Sequence, residues 1–181
     1  MSGIRKRRAL PHWEAENGIY FVTYRLADSL PKSSVERITR ELDFNESLDR
    51  RLSRHLEKLL DSGTGECHLS RPEIAAIVAE SLQKFEAARY RLYAWCIMPN
   101  HVHTAMQPQG QWKLEQIVHS WKSFTANEAN RILKRHGEFW QREYYDHLIR
   151  DGKDLARIVD YIRENPAKAN LQNSQWVWTR P

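Results

Sequence analysis

The chain has 181 residues, a formal net charge of +5 at neutral pH and a pI of about 9.3, which is typical of a single domain with a buried core and favours an anionic partner. No stretch reaches the roughly 20 apolar residues that cross a membrane, and the basic start lacks the apolar region of a signal peptide, so we expect a cytoplasmic protein without a membrane partner. The two cysteines, Cys67 and Cys96, are too few for a disulfide framework and show no zinc-binding spacing.

Residues 1–17 form a basic N-terminal segment without hydrophobic periodicity. Its charge is concentrated in four consecutive cations, Arg5, Lys6, Arg7 and Arg8. Such a run is either a solvated tail or an arm that contacts nucleic acid. We interpret the segment as a separate basic arm, and its four cations are candidates for binding nucleic acid.

The next part of the chain changes from strand-like to helical sequence. Residues 18–26 are rich in β-branched and aromatic side chains, which predicts a first strand. A long charged helix is predicted over 33–60 and a more amphipathic helix over 72–82. The charged helix presents either a solvated face or an added DNA-binding surface. We therefore expect a helical insertion over about 29–70.

Two apolar runs, residues 90–97 and 101–107, meet at Met98-Pro99-Asn100. Pro-Asn favours a tight turn, so these runs predict a β-hairpin. His101 and His103 are two residues apart on its second strand, and their imidazoles should stand on the same face. Such a pair can bind a metal ion.

The rest of the chain predicts a helix over 114–134, an extended aromatic segment over 138–149 and a last helix over 154–166. The element order predicts an α+β domain over 18–175, with a ferredoxin-like βαββαβ core, a four-stranded antiparallel sheet and an enlarged helical first crossover. Residues 176–181 are expected to be a tail. Cations around the middle helix are candidates for binding a DNA backbone: Lys113, Lys122 and Arg131.

In the last helix, Tyr161 and Asn165 are four residues apart and therefore share one face. A tyrosine nucleophile and an amide ligand beside the histidine pair would form a phosphodiester-cleaving centre. Tyr144 and Tyr145, just before this helix, are alternative nucleophiles. We prefer Tyr161 because it alone shares a helix face with Asn165. Pro166 marks the expected end of the helix.

Taken in chain order, these motifs resemble those of the single-tyrosine HUH transposases, and most of all the REP-associated branch. The motifs are Met98-Pro-Asn-His-Val-His103, Phe139-Trp-Gln141 and Asp160-Tyr-Ile-Arg-Glu-Asn-Pro-Ala-Lys168. The resemblance covers most of residues 18–171 and is weak in the expected insertion. It implies the same fold and a transposase that cleaves and rejoins single-stranded DNA carrying hairpins, such as REP-like elements.

The resemblance also implies a role for each residue of the site. Tyr161 would form a covalent 5′-phosphotyrosine, and His101, His103 and Asn165 would hold Mg²⁺ or Mn²⁺. Imidazole and amide ligands suit these ions, although imidazole would also accept zinc. The broader family often has Gln where this chain has Asn165. The resemblance to the REP-associated branch implies a monomer, and we favour a monomer here.

Two other functions compete with this interpretation. A histidine-triad hydrolase would need a third alternating histidine, but Ala105 stands at that position, and we find no second His-x-Thr/Ser copy such as two-histidine phosphoesterases require. The stronger alternative is a regulator that binds hairpin DNA with little or no nuclease activity.

Overall fold

The computed structural model describes residues 3–7, 10–15, 17–30, 65–168 and 175–181, with the backbone alone for 3–7 and 10–14. The charged helix predicted over 33–60 lies outside the described residues, as do Arg8 and most of the expected insertion over 29–70. The described elements, in chain order, are β1 Gly3–Arg7, β2 Leu10–Glu14, β3 Ile19–Arg25, a 3-10 helix His68–Ser70, α1 Pro72–Gln83, β4 Tyr90–Ile97, β5 His101–Pro108, α2 Leu114–Ile132, β6 Tyr145–Ile149, α3 Gly152–Lys168 and β7 Val177–Thr179.

The main sheet has five strands in the order β6-β3-β5-β4-β7, and every neighbouring pair is antiparallel. The α+β class and the antiparallel sheet are therefore confirmed, but the prediction of four strands is wrong. The fifth strand is β7, inside the segment that we expected to be a tail, and it pairs with β4 over three residues. A strand this short has too little alternation to be recognised in the sequence.

The N-terminal segment adds a second, two-stranded sheet. Strands β1 and β2 pair antiparallel, with Gly3 opposite Glu14 and Arg7 opposite Leu10. The backbones of Arg5 and Lys6 thus belong to a strand, which the sequence did not predict because this segment shows no clear alternation. The hairpin gives a regular backbone to part of the expected basic arm.

Helices cover both faces of the five-stranded sheet. On the two-helix face, α1 and α2 pack over Val22, Leu92 and Met106. On the other face, which we call the α3 face, α3 packs over Phe21 and Ala105. Because side chains alternate along a strand, β5 contributes to both cores.

Short-range chemistry accounts for several element boundaries. Pro72 begins α1, where a missing amide hydrogen costs nothing, and the Gln116 side chain accepts a hydrogen bond from the Lys113 amide at the start of α2 at 3.0 Å. The prediction that α3 ends at Pro166 is short by two residues, because the helix continues to Lys168. No helix in the described part of the chain is long and apolar enough to span a membrane.

Candidate active site

The histidine pair lies on β5, which runs between β3 and β4 in the sheet. His101 and His103 both point to the α3 face and are 1% and 0% exposed. Their Nε2 atoms lie 3.0 Å apart. The structure therefore brings the two predicted ligands together, with the same nitrogen of each ring at the point where the rings meet.

The other nitrogen of each imidazole is held by a polar side chain. His101 Nδ1 lies 2.7 Å from Asn100 Oδ1, which can only accept, so this Nδ1 carries the proton and leaves Nε2 with a lone pair. His103 Nδ1 lies 2.7 Å from the Thr23 hydroxyl on β3. When the Thr23 oxygen accepts that bond, His103 Nε2 also presents a lone pair, which is the arrangement that orients histidine ligands in metal sites.

Burial keeps both rings neutral at physiological pH. It lowers the pKa of His101 to about 3, and it lowers the pKa of His103 well below 6.5, with His101 as a second, weaker cause. A neutral imidazole is the form that binds a metal ion. Proton competition with a metal is therefore weak above pH 6.

The two Nε2 atoms are at hydrogen-bond distance, 3.0 Å, and the tautomers decide which ring donates. The same closeness would let both nitrogens bind one cation. Among the described residues no three His, Cys, Asp or Glu side chains form a metal-binding group, so a third protein ligand would have to be of another type, such as an amide.

Helix α3 supplies a suitable amide. Asn165 is 2% exposed, and its Oδ1 is buried without a hydrogen-bond partner in the described part of the chain. A buried carbonyl oxygen without a partner destabilises the folded state unless a bound ligand interacts with it. The histidine pair and Asn165 thus offer nitrogen and oxygen donors of the kinds that divalent cations bind.

Tyr161 lies one helical turn before Asn165 and packs on the histidine pair. Its ring meets His103 edge to face at 5.5 Å between centroids and Phe21 at 5.9 Å. Phe21 in turn stacks on His103 at 5.3 Å. The Tyr161 hydroxyl oxygen is buried, so Tyr161, His101 and His103 form one packed cluster between β5 and α3, which we call the closed pocket.

The alternative nucleophiles lie farther away. Tyr144 packs against the core of the two-helix face. Tyr145 begins β6 opposite Thr23 in the α3-face core, which puts it two strands, or about 10 Å at the backbone, from His103. The geometry therefore favours Tyr161.

Of the predicted DNA-binding cations whose side chains the structure describes, two line one groove and the third lies outside it. Lys113 and Lys122 line a groove of about 1100 Å³ along α2. Lys122 Nζ donates to the Gln141 and Arg142 carbonyls at 2.7 Å each, and burial lowers its pKa to about 8. Arg131 is exposed and pairs with Glu128 at 2.6 Å. The DNA role of these side chains, and of Arg5, Lys6, Arg7 and Arg8, stays a prediction.

Sequence reasoning missed two polar residues of β3. Thr23 and Arg25 lie opposite His103 and His101 in the antiparallel register and are 5% and 8% exposed. Their alternation with apolar residues in 19–26 was the available signal, since a period of two places both on one face. The identity of that face depends on strand pairing, which the local sequence does not specify.

Comparisons with known proteins place the chain among transposases. The family model described as "Transposase IS200 like" matches residues 68–165. A Haemophilus influenzae protein named as a REP-associated tyrosine transposase is 36% identical over an alignment of 96 residues, with a coverage of 48% of this chain and 54% of that protein. The REP-associated tyrosine transposase of Escherichia coli is 28% identical over 93 residues, 50% of this chain and 53% of that protein. The chain thus spans about half the length of the curated relatives it matches.

A solved structure shows the same fold. The structure of a REP-associated tyrosine transposase bound to a REP hairpin aligns with a TM-score of 0.57 at 18% identity, over 98% of this chain and 82% of that chain. At this identity the match concerns the fold. The region that the family model matches contains His101, His103, Tyr161 and Asn165.

Proposed function

Because this chain belongs to the family of IS200-like transposases, we propose that it is a metal-dependent enzyme that cleaves and rejoins hairpin-flanked single-stranded DNA. Its relatives and its structural match support the REP-associated branch of tyrosine transposases. The observation that carries the proposal is the packing of Tyr161 on the histidine pair, at 5.5 Å between its ring and that of His103.

The reaction is an exchange of phosphodiester bonds. Tyr161 Oη attacks the scissile phosphorus, the bond from phosphorus to the 3′ oxygen breaks, and the proton lost by the tyrosine ends on that oxygen. The products are a 5′-phosphotyrosine and a free 3′-hydroxyl, so no water is consumed and a second 3′-hydroxyl can reverse the step. A Mg²⁺ or Mn²⁺ ion held by His101, His103 and Asn165 would withdraw charge from a nonbridging phosphate oxygen.

The closed pocket requires a movement before the reaction. Both imidazoles and the Tyr161 hydroxyl oxygen are buried, and a phosphate cannot reach them through packed side chains. Since α3 carries both Tyr161 and Asn165, a shift of this helix away from β5 would open the nucleophile and the amide together. DNA binding would then be coupled to the position of α3.

We also propose a hairpin DNA partner, a ferredoxin-like core and a monomeric protein. The structural relative is bound to a REP hairpin, and the groove along α2, with Lys113 at one end, supports a folded DNA strand as substrate here. The strand order β6-β3-β5-β4 supports a ferredoxin-like core to which β7 is added. All proposed catalytic groups come from one chain, which supports a monomer.

A regulator that binds hairpin DNA without cleaving it is the second candidate. The closed pocket favours it, because an enzyme whose α3 never moves would bind DNA and form no adduct. The two candidates differ in one product, the covalent protein–DNA complex.

The deciding experiment incubates end-labelled hairpin DNA with protein and Mn²⁺ and separates the products on a denaturing gel. We expect a protein-linked band with the wild type and with Tyr145→Phe, and a loss of about 10⁴-fold or more with Tyr161→Phe, as for removal of other catalytic nucleophiles. EDTA should abolish the band. An adduct that survives in Tyr161→Phe would move the nucleophile, and tight binding without any adduct would establish the regulator.

A further inference from the structure

Arg25 ends β3 on the same face as the histidine pair. Its Cα is the register partner of the Cα of His101 on β5, as Thr23 is that of His103. Side chains of directly paired residues have Cβ atoms about 4.5–5.5 Å apart. The long Arg25 side chain therefore starts beside that of His101.

The Arg25 guanidinium is buried, and its hydrogen-bond partner among the described residues is a neutral group. The residue is 8% exposed, and within the described residues its guanidinium donates a hydrogen bond to the neutral Ser29 hydroxyl at 3.1 Å and forms no ion pair. Burial lowers the pKa of Arg25 to about 10, so the group remains charged at neutral pH.

A charge in this state destabilises the folded protein. Burying a guanidinium costs free energy that a carboxylate normally offsets, and one hydroxyl leaves most of its five N–H donors to other partners. Such a cost is typical of functional sites, where an anionic ligand supplies the missing partner. Arginine suits a phosphate in particular, because its planar fork donates two parallel hydrogen bonds.

We propose that Arg25 is a catalytic residue that binds a nonbridging oxygen of the scissile phosphate. Arg25 lies on β3, next to the proposed metal ligands on β5. This inference rests on the proposed function. The Arg25 guanidinium supplies a positive charge from the protein in addition to the charge of the metal ion. The guanidinium stabilises the negative charge that accumulates on the phosphate oxygens as Tyr161 attacks. It remains protonated throughout and takes no part in proton transfer.

The test compares Arg25→Gln and Arg25→Lys with Arg157→Gln, which removes an exposed arginine that pairs with Asp154 on α3. Single-turnover adduct formation is measured on hairpin DNA whose scissile phosphate is either natural or a neutral methylphosphonate. On the natural substrate we expect Arg25→Gln to be slower by about 10²–10³-fold, Arg25→Lys to be less affected, and Arg157→Gln to match the wild type. On the methylphosphonate the Arg25→Gln penalty should fall below about threefold, because its partner charge is absent.

The same variants separate a catalytic role from a structural one. Thermal unfolding of Arg25→Gln should show an unchanged or higher midpoint, because a buried unpaired charge has been removed, and Mn²⁺ affinity should stay within about twofold. An equal penalty on both substrates, a lower unfolding midpoint or full activity would overturn the proposal. If the wild type forms an adduct and Arg25→Gln does so equally, this contact fails alone; if the wild type forms none, the proposed function fails with it.

Discussion

The two faces of the five-stranded sheet differ in what they bury. The two-helix face is a large, mainly apolar core that includes Trp121, Leu92 and Met106, and its buried polar groups within the described residues, such as the Thr104 hydroxyl, are few. The α3 face has a smaller apolar cluster and buries polar side chains beside it, namely Thr23, Arg25, His101, His103 and Asn165. Strand β5 contributes to both, with Met106 on one face and His103 on the other.

Because of this difference, one face mainly stabilises the fold and the other carries the proposed reactive groups. Apolar burial stabilises a domain by about 25 cal/mol per Å², whereas each buried polar group without a full set of partners destabilises it. The two-helix face therefore supplies stability, which offsets the cost of a reactive pocket on the α3 face. Substitutions on β3 and β5 can be chosen to affect one task and leave the other.

The largest effect on stability should come from the two-helix face. Met106→Ala leaves a cavity in this core and should lower the free energy of unfolding by about 2–5 kcal/mol, measured by urea denaturation. The rate of adduct formation per folded molecule should stay within about twofold, because the residue is remote from the pocket. His103→Ala should do the reverse, with no adduct and a smaller loss of stability. Loss of activity in folded Met106→Ala would show that the two faces are not independent.

Lowering the pH should destabilise the protein through the two buried histidines of the α3 face. Burial lowers the pKa of His101 to about 3 and that of His103 well below 6.5, so below the unfolded-state pKa the unfolded chain binds protons that the folded chain does not. Stability is therefore lost as pH falls from about 6.5. With EDTA present, these two rings should lower the free energy of unfolding by about 2–3 kcal/mol between pH 6 and pH 5.

Two histidine variants isolate this effect. His103→Gln should reduce the pH-dependent loss by about 1 kcal/mol, whereas the exposed His136→Gln should leave it unchanged. Urea denaturation at the two pH values measures both. A free energy of unfolding that does not change between pH 6 and pH 5 would contradict neutral, buried imidazoles.

A matched pair of threonine-to-valine substitutions, one on each face, compares the two faces directly. Thr23 holds His103 Nδ1 at 2.7 Å, so Thr23→Val should weaken Mn²⁺ binding by about 10–100-fold. Thr104 lies on β5 toward the two-helix face, and its buried hydroxyl has no hydrogen-bond partner in the described part of the chain. Thr104→Val should therefore leave Mn²⁺ affinity unchanged and raise the free energy of unfolding by about 1 kcal/mol. Titration calorimetry and urea denaturation measure the pair, and equal Mn²⁺ affinities in the two variants would refute the role of Thr23.

Much of the fold could be predicted because its elements have clear local signals. Strand β3, the β4–β5 hairpin and helices α1, α2 and α3 each show the apolar period of their class. Strand β7 and the β1–β2 hairpin were missed, since short strands gain their stability from the partner they join. The turn at Asn100 was predicted from its Pro-Asn chemistry, but its Oδ1 contact with His101 was not.

The sequence by itself determined which side chains share a face: His101 with His103 by the period of a strand, and Tyr161 with Asn165 by the period of a helix. Only the tertiary structure decided that α3 covers the histidine face, that the two Nε2 atoms meet at 3.0 Å, and that Thr23 and Arg25 stand opposite the histidines. The physical reason is that backbone periodicity is local, whereas strand register and helix docking depend on contacts between residues far apart in the chain.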